Sequence, residues 1–357
     1  MNMLSYKGLI VKSNTFLFRD FFSDIHTLFI FVAYNKSYPT EKIQINERFS
    51  HSMSQNPASQ KVKIYTFSAV ILIAVAILLR TINYLCIFDS EILYFSNHPL
   101  HTIYQTLTVL TVLWLLTMLI FIPRYSFSTK TSVTHSIFSR CLALFCGLVV
   151  FASFFFFRNC MNYYVGHAKF YRMLVLFTIP CAAYFLMHFS EKASKAVRSL
   201  CGYAALIWMG LLLSVTYLNL FVTMNSPFKV TLHLALIALM LHILEDIRAS
   251  VGRSFRIHGY AYTLIAILLC GVASFPVIIG YLTERHYDVD YLFYALLMLG
   301  FFLYLCARAR DSYHVLMTTQ SATPEEIEEE AQAREAKNKK KTPENKQNNK
   351  GDDIHVS

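Results

Sequence analysis

Two apolar runs, 200–222 and 228–247, follow each other with only a short polar turn, Met224-Asn225-Ser226-Pro227, near their junction. A helix rises about 1.5 Å per residue and the hydrocarbon layer is about 30 Å thick, so each run is long enough to cross a bilayer. Asn225 and Ser226 can accept from the first backbone N–H groups of the second helix. Pro227 suits its first position, where the missing N–H would have no helical partner anyway. The pair therefore reads as a membrane hairpin, and the rest of the chain repeats the plan. Further apolar runs lie at 64–87, 102–122, 136–157, 169–189, 259–282 and 289–307. The expected fold is an all-α membrane domain over 64–310, with eight transmembrane helices arranged as four hairpins.

Composition agrees. The mean hydropathy is +0.42, and 55% hydrophobic against 15% charged residues is too apolar for a soluble domain of this size. The net charge of +10 is unevenly spread. Residues 53–310 carry 19 Lys and Arg against 8 Asp and Glu, whereas residues 311–357 carry 7 against 10. The basic excess sits beside the spans, where it orients helices and meets anionic head groups, so the expected partner is the lipid bilayer rather than nucleic acid.

Orientation follows from the same charges. With both termini in the cytoplasm, the basic connections 123–135, 190–198 and 248–258 lie inside. The connections around Asp89 to His101, Arg158 to Ala168, Met224 to Pro227 and Thr283 to Asp288 then lie outside, rich in tyrosine as an interfacial belt would be.

The flanks differ from the body. Residues 1–63 form a leader whose longest clean apolar run, 27–34, is too short to span. Every span lies beyond Met53, which makes Met53 the expected start and 1–52 an over-extended reading of the gene. The tail, 311–357, opens a short helix at Thr323-Pro324-Glu325-Glu326 and ends in a polar stretch expected to be disordered. Its charge offers a surface to a protein partner.

Ionisable groups inside lipid are costly unless paired, and so point to function. Arg80 lies about two turns from the outer end of the first span, with Asn83 on the same helical face. It either snorkels, pairs with Asp89, or forms an anion site within the bundle. Lys229 and His233 lie one turn apart on the sixth span, with Asn219 across the hairpin. Arg80, Asn219, Lys229 and His233 are thus the candidate ligand-binding residues, with interhelical hydrogen bonding as the plainer account of the last three. His242 and Glu245 share a helical face, but an ion pair of Glu245 or Asp246 with Arg248 or the basic loops is the preferred reading over a metal site. His98 and His101 are split by Pro99, which spoils their register, while His167 and His286 lie on other turns, so no metal or other cofactor is expected. The eight cysteines form no CxxC and mostly sit in apolar runs, as small core residues do. No phosphate-binding loop, zinc-hydrolase or serine-hydrolase motif is present, so the sequence gives no support to an enzyme activity.

The series Tyr217-Leu218-Asn219, Met224 to Lys229, Glu245-x-x-Arg248 and Gly252-Arg253, with Phe88-Asp89 and Tyr94-Phe95 earlier, resembles a group of multi-pass membrane proteins of anaerobic Gram-positive bacteria with no assigned activity. The resemblance implies a bacterial plasma membrane but no substrate. Two functional classes follow. One is a membrane sensor or scaffold component that binds a ligand or partner; the other is a transporter of a small anionic solute. Transport favours polar groups meeting at the bilayer midplane, and the spans interrupted by Pro180 and Pro276 carry no central charge.

Overall fold

The computed structural model describes residues 57–89, 94–95, 98–122, 136–163, 168–190, 194–218, 226–250, 256–283 and 289–318, all within the compact unit Gln55–Ser357. The leader 1–52 with its expected start, the tail beyond 318, and Asn219, Asn225, His167 and His286 lie outside the described residues.

All eight expected spans are helices: α1 Pro57–Cys86, α2 Pro99–Phe121, α3 Ile137–Tyr163, α4 Ala168–Met187, α5 Lys195–Leu218, α6 Pro227–Ser250, α7 Arg256–Leu282 and α8 Val289–Thr318. Each holds a stretch long and apolar enough to cross a membrane. The chain is thus an all-α, multi-pass integral membrane protein. Its only other regular structure among the described residues is a two-residue antiparallel ladder, β1 Phe88–Asp89 with β2 Tyr94–Phe95. The helix starts follow local chemistry. His98 caps α2 in extended geometry, its Nδ1 accepting the Leu100 N–H at 3.2 Å, and Pro99 takes the first helical turn. Pro227 opens α6 as expected, with the Ser226 carbonyl accepting from Val230 N–H at 3.0 Å.

Several boundaries differ from the sequence reading: α1 begins at Pro57 rather than at 64, and α3 runs on to Tyr163 rather than ending at 157. The last helix runs beyond 307 and beyond Asp311 to Thr318. Hydropathy falls there because charges appear, but Arg308 and Asp311 are buried against other helices, so the backbone has no reason to leave the bundle.

The two helices of each hairpin, α1–α2, α3–α4, α5–α6 and α7–α8, pack on one another. The connections within hairpins share one end of the bundle, here the tip end; the connections between hairpins share the opposite, base end. Around the bundle α3, α4, α5, α6, α7 and α8 each pack on the next, and α8 returns to α3, closing a ring of six. The α1–α2 hairpin leans on α7. Rings meet between helices that are not neighbours in this circle: Phe157 of α3 with Trp208 of α5, and Phe185 of α4 with Phe301 and Tyr304 of α8. Such contacts run through the middle, so aromatic side chains fill the ring. Trp208 is anchored there by donating Nε1–H to Thr178 Oγ1 at 2.9 Å. The faces turned away, such as Leu176 and Ile120, expose large apolar side chains as lipid-facing surfaces do.

Helix α7 is the most enclosed, with 83% of its apolar window buried against 22% for α2. Small residues allow this close approach, as is usual between membrane helices. A Cβ on Gly280 would collide with the buried Tyr84 ring of α1, whereas one on Gly210 of α5 would meet nothing within 4 Å. Gly280→Ala should therefore cost about 1–3 kcal/mol from overpacking. Gly210→Ala should be neutral or stabilise by up to about 1 kcal/mol through helix propensity. Melting temperatures of the two variants in one detergent check the contrast.

Candidate functional site

Arg80 lies on the inward face of α1 and is only 4% exposed. The β1–β2 ladder pairs Phe88 with Phe95 and so folds the α1–α2 connection back over this face. The fold-back sets the Phe95 ring 4.3 Å from the guanidinium carbon, and Tyr104 of α2 lies 4.9 Å away. The far neighbours of Phe95 are aromatic too, with the His101 ring stacked at 4.8 Å and Phe88 at 5.2 Å. Ring faces attract a guanidinium but accept little from its five N–H donors. Among the described residues no hydrogen bond or ion pair reaches Arg80; the side chain of Asp89 is outside that set. Asn83, one turn on, donates to the Leu100 carbonyl at 3.4 Å, leaving its buried Oδ1 without a partner. Arg80 opens on a small recess walled by Tyr84, Phe88 and Phe95, by Phe228 and Thr231 of α6, and by Pro276 of α7. The recess sets a cation at the end of an apolar wall.

The four residues singled out in the sequence do not all reach this recess. Phe228 and Thr231 face it, while Lys229 and His233, on another stripe of α6, face α5. Lys229 is 3% exposed, its Nζ 5.9 Å from the centre of the Tyr217 ring. His233 Nε2 lies 3.0 Å from Thr216 Oγ1, and that hydroxyl already donates to the Leu212 carbonyl at 2.9 Å, so the imidazole N–H is the donor. Asn219 is outside the described residues. The histidines His98 and His101 serve the start of α2, the first as its cap and the second through Gln105 at 2.9 Å and the Phe95 ring. Among the described residues no three His, Cys, Asp or Glu side chains are placed to hold a metal ion.

A second polar centre, absent from the sequence reading, lies in the ring at the base end. Helices α4, α6 and α8 run in the same direction and each brings a pair of residues spaced by four: Tyr184 and His188, His242 and Asp246, Tyr304 and Arg308. The Asp246 carboxylate of α6 accepts from the other two, from α8 and from α4 and its end. Arg308 Nη2 lies 2.5 Å from Oδ1, while the Tyr184 hydroxyl at 2.7 Å and His188 Nε2 at 3.1 Å share Oδ2. One turn deeper, His242 Nδ1 meets Thr263 Oγ1 of α7 at 2.9 Å, leaving Nε2 buried without a partner, as is the Tyr304 hydroxyl. Nearer the base, Asp311 accepts the Ser136 N–H at 3.2 Å, and Ser136 Oγ in turn caps α3 through Ser139 N–H. Glu245 pairs instead with the half-exposed Arg248 at 2.7 Å, so His242 and Glu245 have separate partners. The sequence signal for this centre was the shared spacing of four on the fourth, sixth and eighth spans.

No family model, curated protein or solved structure matches the chain. Its function has to be read from these two polar centres.

Proposed function

We propose that this protein is a sensor or scaffold component of a bacterial plasma membrane, with both termini in the cytoplasm, and that it binds an anionic amphiphile at Arg80. The observation that carries the reading is a buried guanidinium whose partners among the described residues are aromatic rings, beside an apolar recess. A buried charge is costly alone, and an arginine stays charged, so a carboxylate or phosphate head group is the natural complement. The basic connections at the base end favour the cytoplasm for that side, which puts Arg80 near the outer surface. The alternative, transport of an anionic solute, has against it the aromatic filling of the ring around Trp208 and Phe185.

The purified chain should be stabilised by phosphatidylglycerol more than by phosphatidylcholine. Equal melting temperatures in vesicles of the two lipids would remove the ligand. Vesicles bearing the protein should take up inorganic phosphate no faster than bare ones; uptake would favour transport. Lys195 should be shielded from a membrane-impermeant amine reagent in intact cells, and labelling there would reverse the orientation.

A further inference from the structure

We infer that His188 and Asp246 form a proton-binding site at the base end of the ring, separate from the Arg80 recess. His188 Nδ1 lies 2.9 Å from the Tyr184 carbonyl oxygen, which can only accept, so Nδ1 carries a hydrogen. Nε2 lies 3.1 Å from Asp246 Oδ2. That carboxylate already accepts from the Tyr184 hydroxyl and from Arg308, the pattern of an ionised acid. A bare Nε2 would set lone pair against lone pair; a protonated one completes a charge-assisted hydrogen bond. Both ring nitrogens therefore hold a proton, and His188 is an imidazolium that ties the end of α4 to α6.

The chemistry of an imidazole makes that proton exchangeable rather than fixed. His188 sits just past the last turn of α4, buried at the base end with 3% of it exposed, and histidine is the side chain that ordinarily changes charge between about pH 5 and 8. Opposing charge comes from Asp246 on α6; Arg308 on α8 competes for the same carboxylate, with Asp311 beside Arg308. Tyr184 of α4 and Tyr304 of α8 bring neutral hydroxyls, Arg198 of α5 and Cys146 of α3 lie near Tyr304, and Glu245 is engaged by Arg248. His242 is a second base in the cluster. Thr263 donates its hydroxyl hydrogen to the Gly259 carbonyl at 2.6 Å and so accepts from His242 Nδ1–H, which leaves the buried Nε2 as an unpartnered lone pair. Loss of the His188 proton breaks the Nε2–H bond to Asp246 and leaves Arg308 as the sole cation bonded to that carboxylate among the described residues. Ionisable groups gathered in this way inside a bundle are the usual material of proton sites in membranes.

The test is nitrogen NMR of the whole protein in lipid nanodiscs with 15N-labelled histidine, the His188 signals being those lost in His188→Gln. At about pH 5.5 both His188 ring nitrogens should carry protons, and by about pH 8.5 Nε2 should be bare. Asp246→Asn should move that loss to lower pH, since the neutral amide no longer favours the cation. A singly protonated ring at the lower pH overturns the site. So does a ring still doubly protonated at the higher pH, because the proton is then structural. If the Asp246 variant does not fold, the two wild-type spectra decide the matter alone.

Discussion

Asp246→Ala is expected to cost about 3–5 kcal/mol of stability, among the largest effects of any single substitution in the bundle. The carboxylate holds the buried Arg308 of α8, the imidazole of His188 at the end of α4 and a tyrosine hydroxyl. Removing it leaves the Arg308 guanidinium, 11% exposed, without the carboxylate it pairs with. The damage should be repaired in large part by removing the orphaned charge as well. In Asp246→Ala with Arg308→Leu the melting temperature in detergent should recover most of what the single variant loses, because an apolar pair can replace a buried ion pair at little cost. A double variant no better than the single one would show that the ion pair is not what Asp246 contributes.

Arg80 should behave in the opposite way. No carboxylate among the described residues depends on it, so Arg80→Ala gives up two ring contacts, each worth about 0.5–2 kcal/mol, and gains the removal of a buried charge. Stability should change by about 1 kcal/mol or less. Selective stabilisation by phosphatidylglycerol should vanish, a loss of at least about tenfold in apparent affinity, since a charged hydrogen-bonded contact is worth about 1.5–3 kcal/mol. Arg80→Lys should recover part of it, as an ammonium keeps the charge but cannot present a planar fork to an oxyanion. Lipid titrations followed by melting temperature separate the three proteins. Retained lipid selectivity in Arg80→Ala would remove Arg80 from the site.

What was legible in the sequence was what rests on one helix or one turn. The eight spans could be read because a run of about 20 apolar residues has few other uses. Pro227 marked a helix start through its missing N–H, and Arg80 stood out because a charge is rare within a span. The illegible parts join distant segments. Asp246 and Arg308 are 62 residues apart, and each taken alone looked like an ordinary rim charge. Asp311 capping α3 spans 175 residues, and without that contact the end of α8 read as the start of a tail. The cover on Arg80 depends on a two-residue ladder, too short for any periodicity to announce it. The separation of Lys229 and His233 from Arg80 turns on which stripe of α6 meets which neighbour, and packing alone sets that.

The ring closes through α8, and this gives the chain a history. Synthesis runs from the N-terminal end at roughly 5–20 residues per second, so Asp246 waits roughly 3–12 s before Arg308, 62 residues later, has been made. During that interval the carboxylate has Tyr184 and His188 at hand but not its arginine. The seam between α3 and α8 is open as well, and Ser136 lacks the acid that caps it. One late helix thus brings the arginine to the centre and shuts the wall in a single step. A ribosome that stalls before that step leaves a gap in the bundle and a polar centre without its arginine, marks by which a membrane protease can tell an unfinished chain from a finished one.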